Sequence, residues 1–373
     1  MTSPDRDAAG GDRHVAVVGT GLIGTSVALA AATAGIPVRG WDADGDVLAR
    51  AAGMSPLSPS ASTADAVEGA GVVFVCTPLG AVPAVAAEVL LGAPGAVVSD
   101  VGSVKGSVVE AVVQAAGGEA SRFVGGHPMA GSERSGPEAA AATLLDGATW
   151  VLTPTEGTDA GAVERVRSLV ETFGARAVEM APDAHDRAVA LVSHLPQLVS
   201  SALMAFATRE HGAEPEHDVL GLAAGGFRDL TRLAGSSPGL WEQILVANAP
   251  AVSREVGRFA DLLLGARDAL DAMDGGALVE LLEEARDGRL LVATKPNVRS
   301  GVVVLQVPIP DRPGVLARLT AAMAEREVNI EDLQIVHAAD GGRGNAHVTV
   351  AADQGDQAVA VLREAGFAPA RLT

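Results

Sequence analysis

From His14 onward, short runs of consecutive apolar, largely β-branched residues alternate with alanine-rich stretches whose apolar positions recur at helical spacing. "HVAVVG", "PVRGWD", "GVVFVC", "GAVVSDVG", "RFVGG", "TWVLTP" and "ARAVEM" read as strands, with residues 24–35, 45–52, 81–92, 105–116 and 159–173 as the helices between them. Strands that are apolar at nearly every position have both faces covered, so this alternation predicts a mostly parallel sheet with helices on each side. The pattern ends near Ala181. From Pro182 to about Thr294 the strand signals stop. Helical spacing then runs through "DAHDRAVALVSHLPQLVSSALMAFATREHG" and through residues 217–234, 238–270 and 271–293. This segment reads as an all-helical domain, apolar enough that we expect it to pair with a second copy as a homodimer.

After a linker, "ATKPNVRSG", strands return in a βαββαβ order: "VVVLQVPI", a helix from Pro313 to Glu327, "VNIEDLQIVHA", "GNAHVTVA", a helix over 355–365 and a last short strand. That order predicts a ferredoxin-like split βαβ unit. The expected organisation is a flexible tail over 1–12, an α/β domain over 13–181, a helical domain over 182–294 and a ferredoxin-like domain over 299–373. No period of 20–50 residues repeats, which argues against a solenoid.

Composition narrows the function. Of 373 residues, 48% are apolar, enough for packed cores. The net charge of −19 is spread without a basic stripe, which argues against nucleic acid or an anionic membrane as partner. An acidic chain that binds an acidic metabolite needs local positive charge, so isolated arginines become informative. The N-terminus has no signal-peptide core, and no uninterrupted apolar stretch is long enough to cross a bilayer. The single cysteine, Cys76, sits in an apolar run and reads as a small buried hydrophobe. It excludes a disulfide framework and fits a reducing compartment, so a cytoplasmic location is expected.

In "VAVVGTGLIGTSVALAAATAG" a strand leads into Gly19, Gly21 and Gly24, and a helix opens there. Gly19 allows a tight turn, Gly21 lets the backbone approach a pyrophosphate, and Gly24 lets the helix pack on the strand. The helix N-terminus, with Leu22 and Ile23, offers free amides to phosphate. Asp42 ends the second strand, 18 residues beyond Gly24, where a carboxylate accepts ribose hydroxyls and repels a 2′-phosphate. These features predict a Rossmann-like domain that prefers NAD to NADP. The neighbouring "DADGD" fails as a calcium loop, because its glycine is two places early and its twelfth position is Gly53. No Cys/His/Asp cluster stands at metal-ligand spacing.

Two further stretches sit at strand ends of the same domain, where open α/β sheets bind ligands. "SDVGSVKG" carries Ser103, which is either a reacting-site residue or the N-cap of the following helix. "FVGGHPMAGSERSG" carries His127 in a backbone of small residues, with Glu133 following. In the helical domain His194 lies on an apolar face, where a satisfied core histidine is the ordinary reading. Arg228, Arg232 and Trp241 fall in "GGFRDLTRLAGSSPGLWEQI", where an arginine is either a surface side chain or a carboxylate clamp.

Taken together and in order, "GTGLIGTSVALA", "SDVGSVKG", "GGHPMAGSERSG", "HDRAVALVSHLPQLVSSAL" and "FRDLTRLAGSSPGLW" resemble the prephenate dehydrogenase family of tyrosine biosynthesis. The resemblance implies NAD-dependent oxidation of prephenate, with loss of carbon dioxide, to 4-hydroxyphenylpyruvate; some members take arogenate and yield tyrosine. It implies that His127 deprotonates the ring hydroxyl and that Ser103 orients it. Arg232 would hold a carboxylate, His194 would line the pocket, and Glu133 and Trp241 would help to gate it. Asp183, His185 and Asp186 lie nearby with less defined roles. One departure is Gln197, where many members have histidine, and it leaves prephenate against arogenate open.

"VPIPDRPGVLARLTAAMAEREVNIEDLQI" resembles an ACT domain. The resemblance implies an aromatic amino-acid effector, tyrosine first, held near Asp311, Gly314, Asn329 and Ile330; a module kept only for dimerisation is the alternative. Two rival functions remain at this stage, a β-hydroxyacid dehydrogenase and a non-catalytic NAD and amino-acid sensor. The first is disfavoured because Lys295, in the linker, is the only lysine after Lys105.

Overall fold

The computed structural model describes residues 14–131, 134–213, 219–293, 301–337 and 343–372. The tail, residues 294–300 of the linker and Glu133 lie outside the described residues. The chain divides into two compact units: one runs to Ala202 and takes in Leu233–Arg258, the other holds Leu203–Arg232 and the chain from Phe259 onward.

In the first unit the elements run β1 (Val15–Val18), α1 (Leu22–Thr33), β2 (Val38–Trp41), α2 (Gly45–Met54), β3 (Ser58–Pro59), α3 (Thr63–Val67) and β4 (Val72–Val75). They continue through α4 (Val82–Gly92), β5 (Val97–Asp100), α5 (Gly106–Ala116), β6 (Phe123–Pro128), β7 (Thr149–Thr153), α6 (Ala160–Thr172) and β8 (Arg176–Glu179). The strands read from the sequence all form; β3 and α3 are additions to that reading.

The sheet order is β3-β2-β1-β4-β5-β6-β7-β8. Every pairing is parallel except β6 with β7. Alternation along the strands explains their continuous apolarity. Ala16, Val18, Val73, Val75 and Val98 pack with α4 and α5 on one face. Val15, Val17, Val72, Phe74 and Val97 pack with α1 and α6 on the other. The carboxyl ends of β1, β4, β5 and β6 therefore share one edge, and Gly19, Ser103 and His127 all stand there. Arg122 fixes the start of β6, its guanidinium donating to the carbonyls of Leu90 at 2.6 Å and Ala96 at 2.5 Å.

The helical region begins with α7 (Pro182–Val189), a five-residue π segment (Ala190–His194) and α8 (Leu195–Ala213), in one continuous run. Then come α9 (Gly225–Thr231), α10 (Pro238–Ala247), α11 (Ala249–Asp271) and α12 (Gly275–Ala293). The helix expected over 238–270 breaks at Asn248. Pro182–His211 forms one helix, long and apolar enough to cross a membrane by length and composition only, with a mean hydropathy of 1.5.

In the second unit β9 (Val302–Pro310), α13 (Val315–Glu325), β10 (Asp332–His337), β11 (Arg343–Ala351), α14 (Gly355–Glu364) and β12 (Ala370–Arg371) build an antiparallel sheet in the order β10-β11-β9-β12. This is the ferredoxin-like arrangement. Leu305, Val307, Leu319, Met323, Val348 and Leu362 form its core.

Candidate active site

At the glycine turn, Gly19 has φ of +97°, and a Cβ there would meet the Cys76 backbone at 2.6 Å. A Cβ on Gly24 would lie 2.0 Å from the Gly19 carbonyl oxygen. Both positions thus require glycine. At Gly21 a Cβ would meet nothing within 4 Å. Gly21 is the N-cap of α1; no side chain caps the helix and no acidic residue stands in its first turn. Open amides, open space and no repelling carboxylate fit a dinucleotide pyrophosphate. Asp42 Oδ2 accepts from the Thr20 amide at 2.6 Å and from the Thr20 hydroxyl at 3.1 Å, and Oδ1 accepts from the Asp44 amide at 2.9 Å. Three of about four acceptor positions on that carboxylate are therefore engaged within the chain. Cys76 is no nucleophile here, because burial and then the charge of Asp100 push its thiol pKa up.

His127 stands near the end of β6, and a buried ion pair holds the residue before it. Lys105 Nζ donates to Asp100 Oδ2 and, at 2.7 Å, to the Gly126 carbonyl. Asp100 Oδ1 accepts from the Gly126 amide at 3.0 Å. Both polar groups of the Gly126 backbone are thereby clamped by one pair whose side chains are fully buried. A Cβ on Gly126 would lie 2.5 Å from the Asp100 carbonyl oxygen, and one on Gly125 would lie 2.3 Å from Thr153 Oγ1. The small residues ahead of His127 are a packing requirement.

His127 Nδ1 lies 2.8 Å from His185 Nε2, and the rings meet edge to face. His185 Nδ1 in turn lies 2.8 Å from Asp186 Oδ1. Asp186 also accepts from the amides of Lys105 at 2.8 Å and Gly106 at 2.7 Å, the first turn of α5. The N-cap reading of Ser103 is thereby corrected. The residue that precedes α5 is Lys105, no side chain of that segment caps the helix, and the capping carboxylate comes from α7. Ser103 lies half-buried on the β5–α5 loop.

His194 closes the π segment and is 1% exposed. Asn248 Nδ2 donates to the Asp186 carbonyl at 2.8 Å and contacts His194 Nδ1 at 3.2 Å. The amide nitrogen has two hydrogens, one for each partner, so His194 Nδ1 accepts and its Nε2 carries the proton. Burial, and then the neighbouring His185, draws the His194 pKa down to about 4, so it is a neutral donor at pH 7. Trp241 stands edge to face on it at 5.9 Å. One helical turn on, Gln197 is buried; its Nε2 donates to the Leu233 carbonyl at 2.8 Å and its Oε1 has no donor among the described residues. Burial is also the first cause that lowers His127 well below an ordinary imidazole, followed by His185, Lys105 and His194.

A family model described as "Prephenate dehydrogenase, nucleotide-binding domain" matches residues 27–179, and one described as "Prephenate dehydrogenase, dimerization domain" matches 181–284. The prephenate dehydrogenase of Bacillus subtilis is 31% identical over 348 residues, 91% of this chain and 92% of that one. The chain belongs to the prephenate dehydrogenase family. Among solved structures of prephenate dehydrogenases, that of Aquifex aeolicus with hydroxyphenyl propionate and NAD+ is 30% identical, with a TM-score of 0.70, over 75% of this chain and 98% of that one. Synechocystis arogenate dehydrogenase is also 30% identical, with a TM-score of 0.66, over 74% and 98%. A model described as "AHAS small subunit-like ACT domain" matches residues 305–365. The Rossmann-like sheet, the helical segment and the C-terminal ACT-like domain expected from the sequence are those of this prephenate dehydrogenase homologue.

Within the first unit the structure joins His127, His185, Asp186, Asn248, His194 and Trp241 in one network. Arg232 is exposed and belongs to the second unit. In the ACT-like domain Gly314 has φ of +86° at the N-cap of α13. There, Asn329 Nδ2 donates to Glu331 Oε1 at 2.5 Å, Ile330 is half-buried and Asp311 is exposed. Sequence reasoning placed Lys105 beside Ser103 at the strand end without giving it a role, and missed Asp100 and Asn248. The lone charged residue in "VVSDVG" was the available signal for Asp100. Nothing local marked Asn248.

Proposed function

We propose that this chain catalyses the NAD-dependent oxidative decarboxylation of prephenate to 4-hydroxyphenylpyruvate in tyrosine biosynthesis. The observation that carries the proposal is the placement of His127, kept neutral by burial, on the sheet edge that also bears the glycine turn. Gly19, Gly21, Leu22, Ile23, Gly24 and Asp42 hold the cofactor, with Asp42 offering its remaining acceptor position to the ribose. Bound NAD supplies the hydride acceptor. His127 takes the ring hydroxyl proton as the carbonyl develops, and Ser103 orients that hydroxyl. Loss of the ring carboxylate then aromatises the product and needs no metal. Arg232 gives the substrate dianion its positive partner, while His194, Glu133 and Trp241 line and gate the pocket. Gln197 favours arogenate as the second reading, since a buried acceptor without a donor suits an ammonium better than a keto group. Incubating the protein with NAD and either substrate, while following reduced-cofactor absorbance, tests the proposal; no turnover with either overturns it.

Asp42→Ser is expected to narrow the preference for NAD over NADP, measured as the ratio of kcat/KM values. Equal use of both cofactors by the wild type contradicts the role given to Asp42. Arg232→Ala is expected mainly to raise KM, because a carboxylate clamp binds ground state and transition state alike. A fall in kcat at unchanged KM speaks against a clamp.

The cytoplasmic homodimer read from the sequence is part of the same proposal. Leu191, Val192, Leu240 and Val246 are exposed on the first unit, and a dimerization-domain model spans them. The ACT-like domain is proposed to bind an aromatic amino acid, tyrosine first, through Asp311, Gly314, Asn329 and Ile330, and to lower activity when occupied. Calorimetry with tyrosine, phenylalanine and tryptophan checks this, and absence of heat with all three leaves a dimerisation role only.

A further inference from the structure

We propose that Asp186 and His185 are positioning residues that hold His127 in its Nδ1–H tautomer, and that His185 accepts the Nδ1 proton as His127 Nε2 takes the substrate's. This rests on the reading of His127 as the base. Asp186 is placed to stay an anion. Two amides of the first turn of α5 point at its carboxylate, at the positive end of the helix. Gly106 admits it, since a Cβ there would lie 2.9 Å from Oδ2. Burial pushes the Asp186 carboxyl up, but hydrogen bonds from His185 and from the Lys105 and Gly106 amides outweigh it and hold the pKa low.

An anion only accepts, so His185 Nδ1, 2.8 Å away, must donate to it. In neutral His185 the other nitrogen, Nε2, is then an acceptor. His127 Nδ1, 2.8 Å from that nitrogen, must carry its proton. Only Nε2 of His127 is left with a lone pair. His185 is 1% exposed, so water does not compete for these bonds. The result extends the logic by which a buried carboxylate fixes a catalytic imidazole, with one more imidazole in between.

The same chain has a direction for charge. The titratable groups around His127 are Lys105 with its partner Asp100, the neutral His194, and the His185–Asp186 pair. A positive charge left on His127 would sit near the Lys105 ammonium. When Nε2 gains the hydroxyl proton, the Nδ1–H bond breaks and an Nε2–H bond forms on His185. The positive charge then lies on the imidazole hydrogen-bonded to the Asp186 carboxylate, which a low-dielectric interior favours.

The first test is 15N NMR of the full chain with labelled histidine at neutral pH, the His127 signals being assigned by their loss in His127→Asn. A protonated Nδ1 and a bare Nε2 are expected; a protonated Nε2 with a bare Nδ1 overturns the proposal. The second compares His185→Gln, which keeps an acceptor for His127 but takes no proton, with His185→Leu, which keeps neither. Relative to wild type, kcat should fall about ten- to a hundredfold in the first and further in the second, with KM little changed. Folded variants that keep wild-type kcat across the pH range overturn the relay. If His127→Asn is inactive in that case, the base reading survives; if His127→Asn is active, the base reading fails with it.

Discussion

His127→Asn is expected to lower kcat by about a hundred- to ten-thousandfold, the usual worth of a positioned base. Asparagine keeps a hydrogen-bonding group of similar size but cannot accept the hydroxyl proton. NAD affinity should change little, because the Gly19–Gly24 turn holds the pyrophosphate. The pH profile gives a second readout. Only neutral His127 works, so kcat/KM falls on the acid side as the imidazole gains its proton. An unperturbed imidazole would put that limb at about 6.5. Burial, with His185 and Lys105 alongside, lowers the His127 pKa, so the limb moves to more acid pH and activity persists below 6.5. The limb should vanish in the variant. A folded His127→Asn protein that binds NAD and keeps most of its turnover would falsify the mechanism.

Lys105→Met should be strongly destabilising. Methionine keeps most of the apolar stem and removes the ammonium. The Asp100 carboxylate is then left fully buried with only the amides of Gly102 at 2.9 Å and Gly126 at 3.0 Å. Removing one partner of a buried pair costs about 3–5 kcal/mol, because the survivor is an uncompensated charge. Thermal or denaturant unfolding of the intact chain measures it. Asp100→Asn added to Lys105→Met should recover part of the loss. Activity should fall as well, since the Gly126 carbonyl loses its donor directly before His127. A Lys105→Met protein as stable as wild type shows that the ammonium is not needed to neutralise Asp100.

What the sequence by itself determined is what short-range patterns can carry. Continuous apolar strands between amphipathic helices fix a sheet covered on both faces, since no other packing hides every side chain of "VAVV" and "VVFV". A parallel sheet then puts strand carboxyl ends on one edge, so the places of Gly19, Ser103 and His127 follow from the strand pattern alone. The requirement for glycine at positions 19 and 24 was readable for the same reason: both contacts lie within one strand–turn–helix unit and its neighbouring strand. The tertiary structure alone decided how charge and protons are arranged around those places. Asp186 caps α5 from about 80 residues away, His185 meets His127 across 58, and Asn248 meets His194 across 54. The role of Lys105 emerges only when Asp100 and the Gly126 carbonyl close around it. The cap alternative for Ser103 falls away once a carboxylate from another helix takes the amides. Propensity and periodicity report on neighbours within a turn or two; burial and through-space pairing set pKa and tautomer, and these exist only once the chain has folded.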